Sequence, residues 1–256
     1  MHKRIMSVNI NDLGGKTRHL MNHRYFNNRD RRSHIDWEYW ATHIDKTKVW
    51  EGLKRYIERK NPDLLILEEM LISCYERIDF IAELEEMGYN FVEESLPERG
   101  NYSLTMIFYK GKTPTYINSP GDCRSNRSVI CEDDDMLICG SHFPCESDEE
   151  FLGHMKAFMN GNMDKDLLLI GDLNANDPSR GNKIMVNSLI EEGAVDLWIA
   201  AGGKEDTPTE AQYSGRLDYA ISSPSLAKKV EKIEIDSYPM DANLTDHAAI
   251  IVDIVN

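Results

Sequence analysis

The sequence is short of positive charge: 29 Lys and Arg face 44 Asp and Glu in 256 residues, a formal net charge of −15. That excludes a generally basic surface of the kind that grips a nucleic-acid backbone. It leaves open a single local site that meets phosphates, especially where a divalent cation reverses the sign. Long apolar runs are missing too. No stretch approaches the roughly 18 apolar residues that a spanning helix needs, so no membrane association is expected. The five cysteines (Cys74, Cys123, Cys131, Cys139, Cys145) are odd in number and form no CxxC pair. This argues for a reduced, cytoplasmic protein and against a zinc site. The start, Met1-His2-Lys3-Arg4, leads into no apolar stretch, so no signal peptide is expected. Repeats, low-complexity tracts and linker-like segments are also lacking, which favours one domain over residues 1–256.

What is present is ordinary core material, with 41% hydrophobic and 29% charged residues. Apolar runs of strand length occur at Ile5–Ile10, Leu64–Leu67, Leu104–Tyr109, Met136–Cys139, Leu167–Ile170, Tyr219–Ile221 and Ala248–Val255. Helical periodicity lies between them. Residues 41–60 put Ile44, Val49, Leu53, Tyr56 and Ile57 on one face and stop at Asn61-Pro62; residues 74–87 supply Ile78, Ile81, Leu84 and Met87 before Gly88. Ser147 with Glu150 reads as a capping box opening the next helix, and a further helix covers 182–192 before Gly193. The alternation predicts a layered α/β domain around a mixed sheet core. The acidic run Glu132–Asp135 reads as a solvated hairpin turn, not a metal site. Trp37, Trp40, Trp50 and Trp198 read as packing anchors, and the 12 methionines as gap-filling core.

One stretch departs from the rest. Residues 16–34 carry Lys16, Arg18, Arg24, Arg29, Arg31 and Arg32 against the single acid Asp30, with His19, His23, Tyr25, Phe26 and His34 interleaved. This basic insertion, at about 14–36, is either a solvated loop or a phosphate-contacting arm.

Polar residues gather at the ends of the predicted strands, where ligands collect in open α/β sheets. The first strand ends in Asn9-Ile10-Asn11, the second in Glu68-Glu69, the fourth in Ser141-His142 and the fifth in Gly171-Asp172-Leu173-Asn174. Arg216-Leu217-Asp218-Tyr219 and Thr245-Asp246-His247 come later. Together they supply oxygen ligands suited to a hard divalent cation, a carboxylate able to orient water, and imidazoles able to stabilise charge on phosphoryl oxygens.

In order and rough spacing these six elements resemble the endonuclease/exonuclease/phosphatase superfamily, whose members include DNase I and the abasic-site endonucleases. The resemblance implies a four-layered α/β sandwich, two mixed sheets face to face with helices outside. It implies Glu69 as principal ligand of Mg2+ (or Mn2+), with Asn9, Asn11 and Asp246 near the same ion. Asp172 then orients or activates water, Asn174 holds the scissile phosphate, His247 contacts it with its tautomer fixed by Asp218, and His142 is the second histidine. His142 leans toward the DNase I and sphingomyelinase branches and away from the abasic-site branch. In the DNase I branch a glutamate pairs with that histidine, and its counterpart here is sought near Tyr102–Thr105. Asp172 and His247 are expected at a solvent-facing cleft, where replacing them costs turnover with little effect on folding.

The substrate is less constrained. Arg24, Arg31 and Arg32 of the insertion, with Tyr102, Arg124, Arg127 and Arg180, form the candidate phosphate and base contacts. They favour a nuclease or nucleic-acid phosphodiesterase that hydrolyses by in-line attack of water, acting as a monomer. The alternatives are a small-molecule phosphatase of the inositol phosphate type and, since relatives can lose catalysis, an inactive binding module.

Overall fold

The computed structural model describes residues 2–15, 45–71, 79–92, 103–118 and 127–255. The chain runs β1 (His2–Asn9), α1 (Lys46–Lys60), β2 (Leu64–Leu71), α2 (Phe80–Glu86), β3 (Asn90–Phe91), β4 (Ser103–Tyr109) and β5 (Thr115–Ile117). It continues through β6 (Ser128–Asp133), β7 (Met136–Ser141), α3 (Glu149–Gly161), β8 (Asp166–Asp172), α4 (Gly181–Glu191) and β9 (Val195–Asp196). The last part holds α5 (Leu197–Ala200), β10 (Asp218–Ser222), α6 (Pro224–Ala227), β11 (Val230–Asp236), α7 (Tyr238–Asp241) and β12 (Ala249–Val255).

Among the described residues there are two six-stranded sheets, ordered β11-β12-β1-β2-β4-β3 and β5-β6-β7-β8-β10-β9. Both are mixed. Each has one parallel pair near its centre, β1 with β2 and β7 with β8, flanked by antiparallel neighbours. Strand alternation sorts the apolar residues into three layers. Ile5, Leu64, Ile66, Ile107, Ile138, Leu168, Ile170 and Val252 fill the space between the sheets. Met6, Leu65, Leu67 and Phe108 face Trp50, Leu53, Ile57 and Leu84 of α1 and α2. Leu137, Leu167 and Leu169 face Phe151, Met155 and Val186 of α3 and α4. The result is the expected helix–sheet–sheet–helix sandwich.

Helices α1, α2 and α3 start on aspartates whose side chains accept an otherwise unmade backbone bond: Asp45 from Lys48 N, Asp79 from Ala82 N, Asp148 from Phe151 N. The α3 start corrects the expected capping box. Asp148 is the cap, while Ser147 Oγ accepts from Gly181 N at 2.9 Å and ties α3 to the start of α4. Helix α1 begins at Lys46 and ends on left-handed Asn61 (φ 47°) before Pro62, as the Asn-Pro signal requires. Residues 41–44 and 74–78 of the expected helices lie outside the described residues, as do Trp37 and Trp40. Trp50 is buried in the core, and the Trp198 indole N–H donates to Lys204 O.

The acidic hairpin is also partly corrected. Asp134 and Asp135 (φ 49° and 65°) form the tight two-residue turn between β6 and β7. Asp133 is buried, not solvated, and its Oδ2 accepts from Lys3 Nζ at 2.5 Å, pinning this hairpin of one sheet to β1 of the other. Cys131 and Cys139 are buried free thiols; burial pushes the Cys131 thiol up to about 12. Among the described residues, no helix is long and apolar enough to cross a membrane.

The chain is tightly packed on both sides of Gly171, against β7 of its own sheet and Glu68 of the other. A Cβ there would stand 2.1 Å from Ser141 O and 2.8 Å from Glu68 Oε1, and φ is +143°. A β-carbon does not fit here, and residues with side chains rarely adopt that backbone conformation. Gly171→Ala is therefore expected to lower unfolding free energy by about 2–3 kcal/mol, read from the urea midpoint. A loss below about 0.5 kcal/mol would contradict the close approach.

Candidate active site

The topology explains why the polar residues meet. Parallel strands β1, β2, β7 and β8 run toward one edge of the sandwich, bringing Asn9, Glu69, His142 and Asp172 to their carboxyl ends. Strands β10 and β12 run the other way, so their beginnings lie at the same edge: Asp218 opens β10 opposite Asp172, and His247 precedes β12. Asn9, Glu69 and His247 come from one sheet; His142, Asp172 and Asp218 come from the other.

Glu69 reaches this place through a defect in β2. Pairing with β4 is regular from Leu64↔Tyr109 to Leu67↔Met106, then resumes at Met70↔Leu104, so Glu68 and Glu69 oppose a single residue. Glu69 takes a positive φ of 54° in this bulge. Without the extra residue, alternation would turn Glu69 to the helix-facing side with Leu65 and Leu67. With it, Glu69 Oε1 lies 3.8 Å from His142 Nε2.

Asp172 is the hub. Its Oδ2 accepts from Asn9 Nδ2 at 3.0 Å and lies 3.6 Å from His142 Nε2 and 3.8 Å from His247 Nε2. Its Oδ1 accepts from Asn174 N at 3.0 Å. Behind His247, Asp218 Oδ2 sits 3.0 Å from Nδ1, so that nitrogen carries its proton and Nε2 points at Asp172. Burial raises the Asp172 carboxyl, with Asp218 adding to the rise against the two histidines. The two imidazoles are driven apart. Burial alone would lower His247, but the carboxylates of Asp218 and Asp172 hold it well above its ordinary value. His142 falls below its ordinary value because burial outweighs Asp172 and Glu69. The charged form is thus favoured at His247 and the neutral form at His142, beside the same carboxylate.

The remaining candidates fall unevenly. Asp246 is buried beside His247, and Asn174, at a left-handed φ of 48°, donates from Nδ2 to Phe143 O. Asn11 meets the cluster through its backbone N–H, which donates to Asn9 Oδ1 at 2.9 Å. Three successive left-handed residues, Asn11, Asp12 and Leu13, swing its side-chain amide away to donate to Gly15 O at 3.0 Å. Arg180 is also apart: it precedes α4, is more than half exposed, and donates to Cys145 O. Arg127 is brought in, with Nη1 2.9 Å from His142 Nδ1. Arg24, Arg31, Arg32, Tyr102 and Arg124 lie outside the described residues, as does the insertion that holds the first three. Asp172 and His247 are not at a solvent-facing surface: both are buried, with Asp172 tied to Asn9 and Asn174. Replacing Asp172 removes the hydrogen bonds that its carboxylate accepts from Asn9 and Asn174.

Several supporting residues escaped the sequence reading. Arg216, fully buried, makes a two-pronged pair with Asp196 (3.0 and 2.6 Å), and Tyr219 Oη donates to Ala175 O, so both ends of the Arg-Leu-Asp-Tyr motif brace the loops around Asp218. Thr209 Oγ1 accepts from the amides of Leu217 and Asp218. Asn182 Nδ2 donates to Pro144 O and Leu173 O, clamping the two loops that carry His142 and Asn174. Glu68 is the largest omission. It faces the inter-sheet space with Leu64 and Ile66, fully buried, accepting from Ser7 Oγ at 2.5 Å. Strict alternation along β2 assigns it there.

Glu69, His142 and Asp172 form one group whose ligand atoms all lie within 4.8 Å, and Asp172, Asp218 and His247 form another. Two carboxylates aimed at one point repel unless a cation separates them, and their oxygens suit a hard divalent ion. The donor set thus fits a metal.

The sequence matches the profile of the Endonuclease/Exonuclease/phosphatase family over residues 49–247. No curated protein matches it. Among solved structures, the 3′ phosphatase NExo from Neisseria bound to product DNA hairpin superposes with a TM-score of 0.69 at 14% identity, covering 99% of this chain and 100% of the other. An AP endonuclease from Archaeoglobus fulgidus gives 0.70 at 13% identity over 98% of both chains. A 3′-5′ exonuclease (NExo) from Neisseria meningitidis gives 0.66 at 15% identity, over 98% of this chain and 99% of that one. At these identities the likeness is one of fold.

Burial raises the Glu68 carboxyl well above its ordinary value, against the Ser7 hydrogen bond. A carboxyl raised in this way favours its neutral form, and it costs stability once pH exceeds its unfolded value, increasingly up to the folded one. In metal-free protein, Glu68→Gln is expected to match or exceed the parent's stability at pH 8 and to flatten the pH–stability curve above about pH 5. A strong destabilisation at pH 8 would mean that Glu68 serves as a carboxylate.

Proposed function

The chain belongs to the endonuclease/exonuclease/phosphatase family, and from that premise we propose that it is a divalent-metal-dependent nuclease or nucleic-acid phosphodiesterase. The observation that carries this reading is the Asp172 carboxylate set between two imidazole Nε2 atoms at 3.6 and 3.8 Å, with Glu69 alongside. The DNA named for the 3′ phosphatase of the same fold supports nucleic acid as the substrate class.

Glu69 and Asp172 are the residues that would hold the ion, Mg2+ or Mn2+; bound there, it supplies positive charge at the phosphoryl oxygens. The chain's own groups do the rest. Asp172 accepts a hydrogen bond from water and aligns it for in-line attack at phosphorus. His247, kept cationic by Asp218, donates to a non-bridging oxygen as negative charge builds there. His142 donates from the other side. Asn174 has two amide hydrogens; one is bonded to Phe143 O, and the second serves the phosphate. Asn9 holds Asp172 in orientation.

Incubating supercoiled plasmid and a 3′-phosphorylated oligonucleotide with Mg2+ or Mn2+, and separately with EDTA, tests the reading. Nicking or phosphate release that needs the metal is expected, reduced about 10^2- to 10^4-fold in Asp172→Asn. Folded protein inert toward both nucleic acids with either metal would overturn it; turnover of small phosphate esters instead would assign a small-molecule phosphatase.

A further inference from the structure

Asp218 and His247 stand 3.0 Å apart, yet they belong to different sheets: Asp218 opens β10 of one, and His247 precedes β12 of the other. No ladder of backbone bonds joins those two strands, so their pairing does not fix the distance. Nor does β9 secure the start of β10, because it pairs with Ile221 and Ser222 further along. The short segment Thr209–Ala211 supplies what the sheets do not.

Its backbone lies beside the histidine. Glu210 bridges antiparallel to His247, Thr209 O accepts from Ala248 N at 2.8 Å, and Asp246 O accepts from Ala211 N at 2.9 Å. The Thr209 side chain takes up the start of β10 instead. Its Oγ1 accepts from Leu217 N at 2.9 Å and from Asp218 N at 3.1 Å. A hydroxyl oxygen has two lone pairs, so one atom serves both amides. Thr209 is fully buried, and its own N–H donates to Gly215 O at 3.3 Å, closing the loop between them. The Glu210 carboxylate stiffens that loop by accepting from the amides of Gln212 and Tyr213. One residue therefore grips the chain on both sides of the pair: the histidine's strand through its carbonyl, the aspartate's strand through its hydroxyl.

We propose that Thr209 is the positioning residue of the Asp218–His247 pair, a strap across the sheet junction whose hydroxyl sets where the Asp218 carboxylate stands relative to His247 Nδ1. Removing the hydroxyl leaves two buried N–H groups without an acceptor. The start of β10 then shifts toward other partners, and the carboxylate shifts with it. The proposal rests on the phosphoester reading only for its effect on turnover; the geometry of the pair is independent of substrate.

The test is the low-field 1H spectrum of the metal-free full chain at low temperature, where the proton that His247 Nδ1 donates to Asp218 is read directly and assigned by its loss in His247→Gln. In Thr209→Val, which keeps the shape and the backbone carbonyl, this signal should move upfield or broaden away. kcat on nucleic acid should fall about 10- to 100-fold, with KM changed less than about threefold. Thr209→Ser, which keeps the hydroxyl and drops the methyl, should retain the signal and most of kcat. A merely structural role would lower stability and leave the signal in place, so an unchanged signal in folded Thr209→Val would overturn the proposal whatever its kcat. Loss of the signal in folded Thr209→Ser, or its absence from the parent, would do the same, and the serine variant decides even where the valine variant does not fold. Because the spectrum needs no substrate, the result stands even if the chain cleaves no nucleic acid.

Discussion

Asn9 Nδ2 donates to Asp172 Oδ2 across the junction of the two sheets, and the geometry of the candidate site depends on that junction. His247 reaches Asp218 across the same junction, and Glu69 meets His142 there. Each of these contacts joins a residue of one sheet to a residue of the other. The face-to-face packing of apolar side chains from both sheets sets the spacing, and Gly171 allows the close approach beside the site. Lys3 with Asp133 fastens the same two sheets elsewhere along β1. A site built on strand ends in this way inherits the rigidity of the sandwich.

Electrostatics complete the constraint. Glu69, Asp172, Asp218 and Asp246 converge on the site, with buried Glu68 beneath them. A phosphate would be repelled by such a group unless cations intervene. The chain provides Arg127 and a His247 held in its charged form, and the carboxylate pair fits a divalent ion. The net charge of −15 is then compatible with phosphate chemistry, because the sign that matters is local.

Much of this was legible in the sequence. All seven apolar runs are strands, and the six polar clusters that follow or precede them meet at one edge because the parallel and antiparallel directions require it. The family resemblance is supported by the profile match and by the fold. What the sequence hid lies in local backbone geometry and cross-sheet register. The bulge at Glu68-Glu69 decides which of two adjacent glutamates enters the site and which is buried, and period-two counting without it fails at Glu69. The left-handed turn at Asn11–Leu13 turns the Asn11 side chain away, which no propensity predicts for three non-glycine residues. Ser147 reads as the cap, but its hydroxyl is engaged by the start of α4, more than 30 positions along the chain, and Asp148 caps instead. Arg127 reads as a candidate substrate contact, and its place beside His142 follows only from the pairing of β6 with β7.

The central claim is that the sheet junction forms a divalent-cation site with Glu69 as a ligand. Mn2+ binding followed by electron paramagnetic resonance, in the parent and in Glu69→Gln, tests it directly. The account predicts bound Mn2+ in the parent and at least about tenfold weaker binding in a folded Glu69→Gln. Equal Mn2+ binding by the two proteins would contradict it.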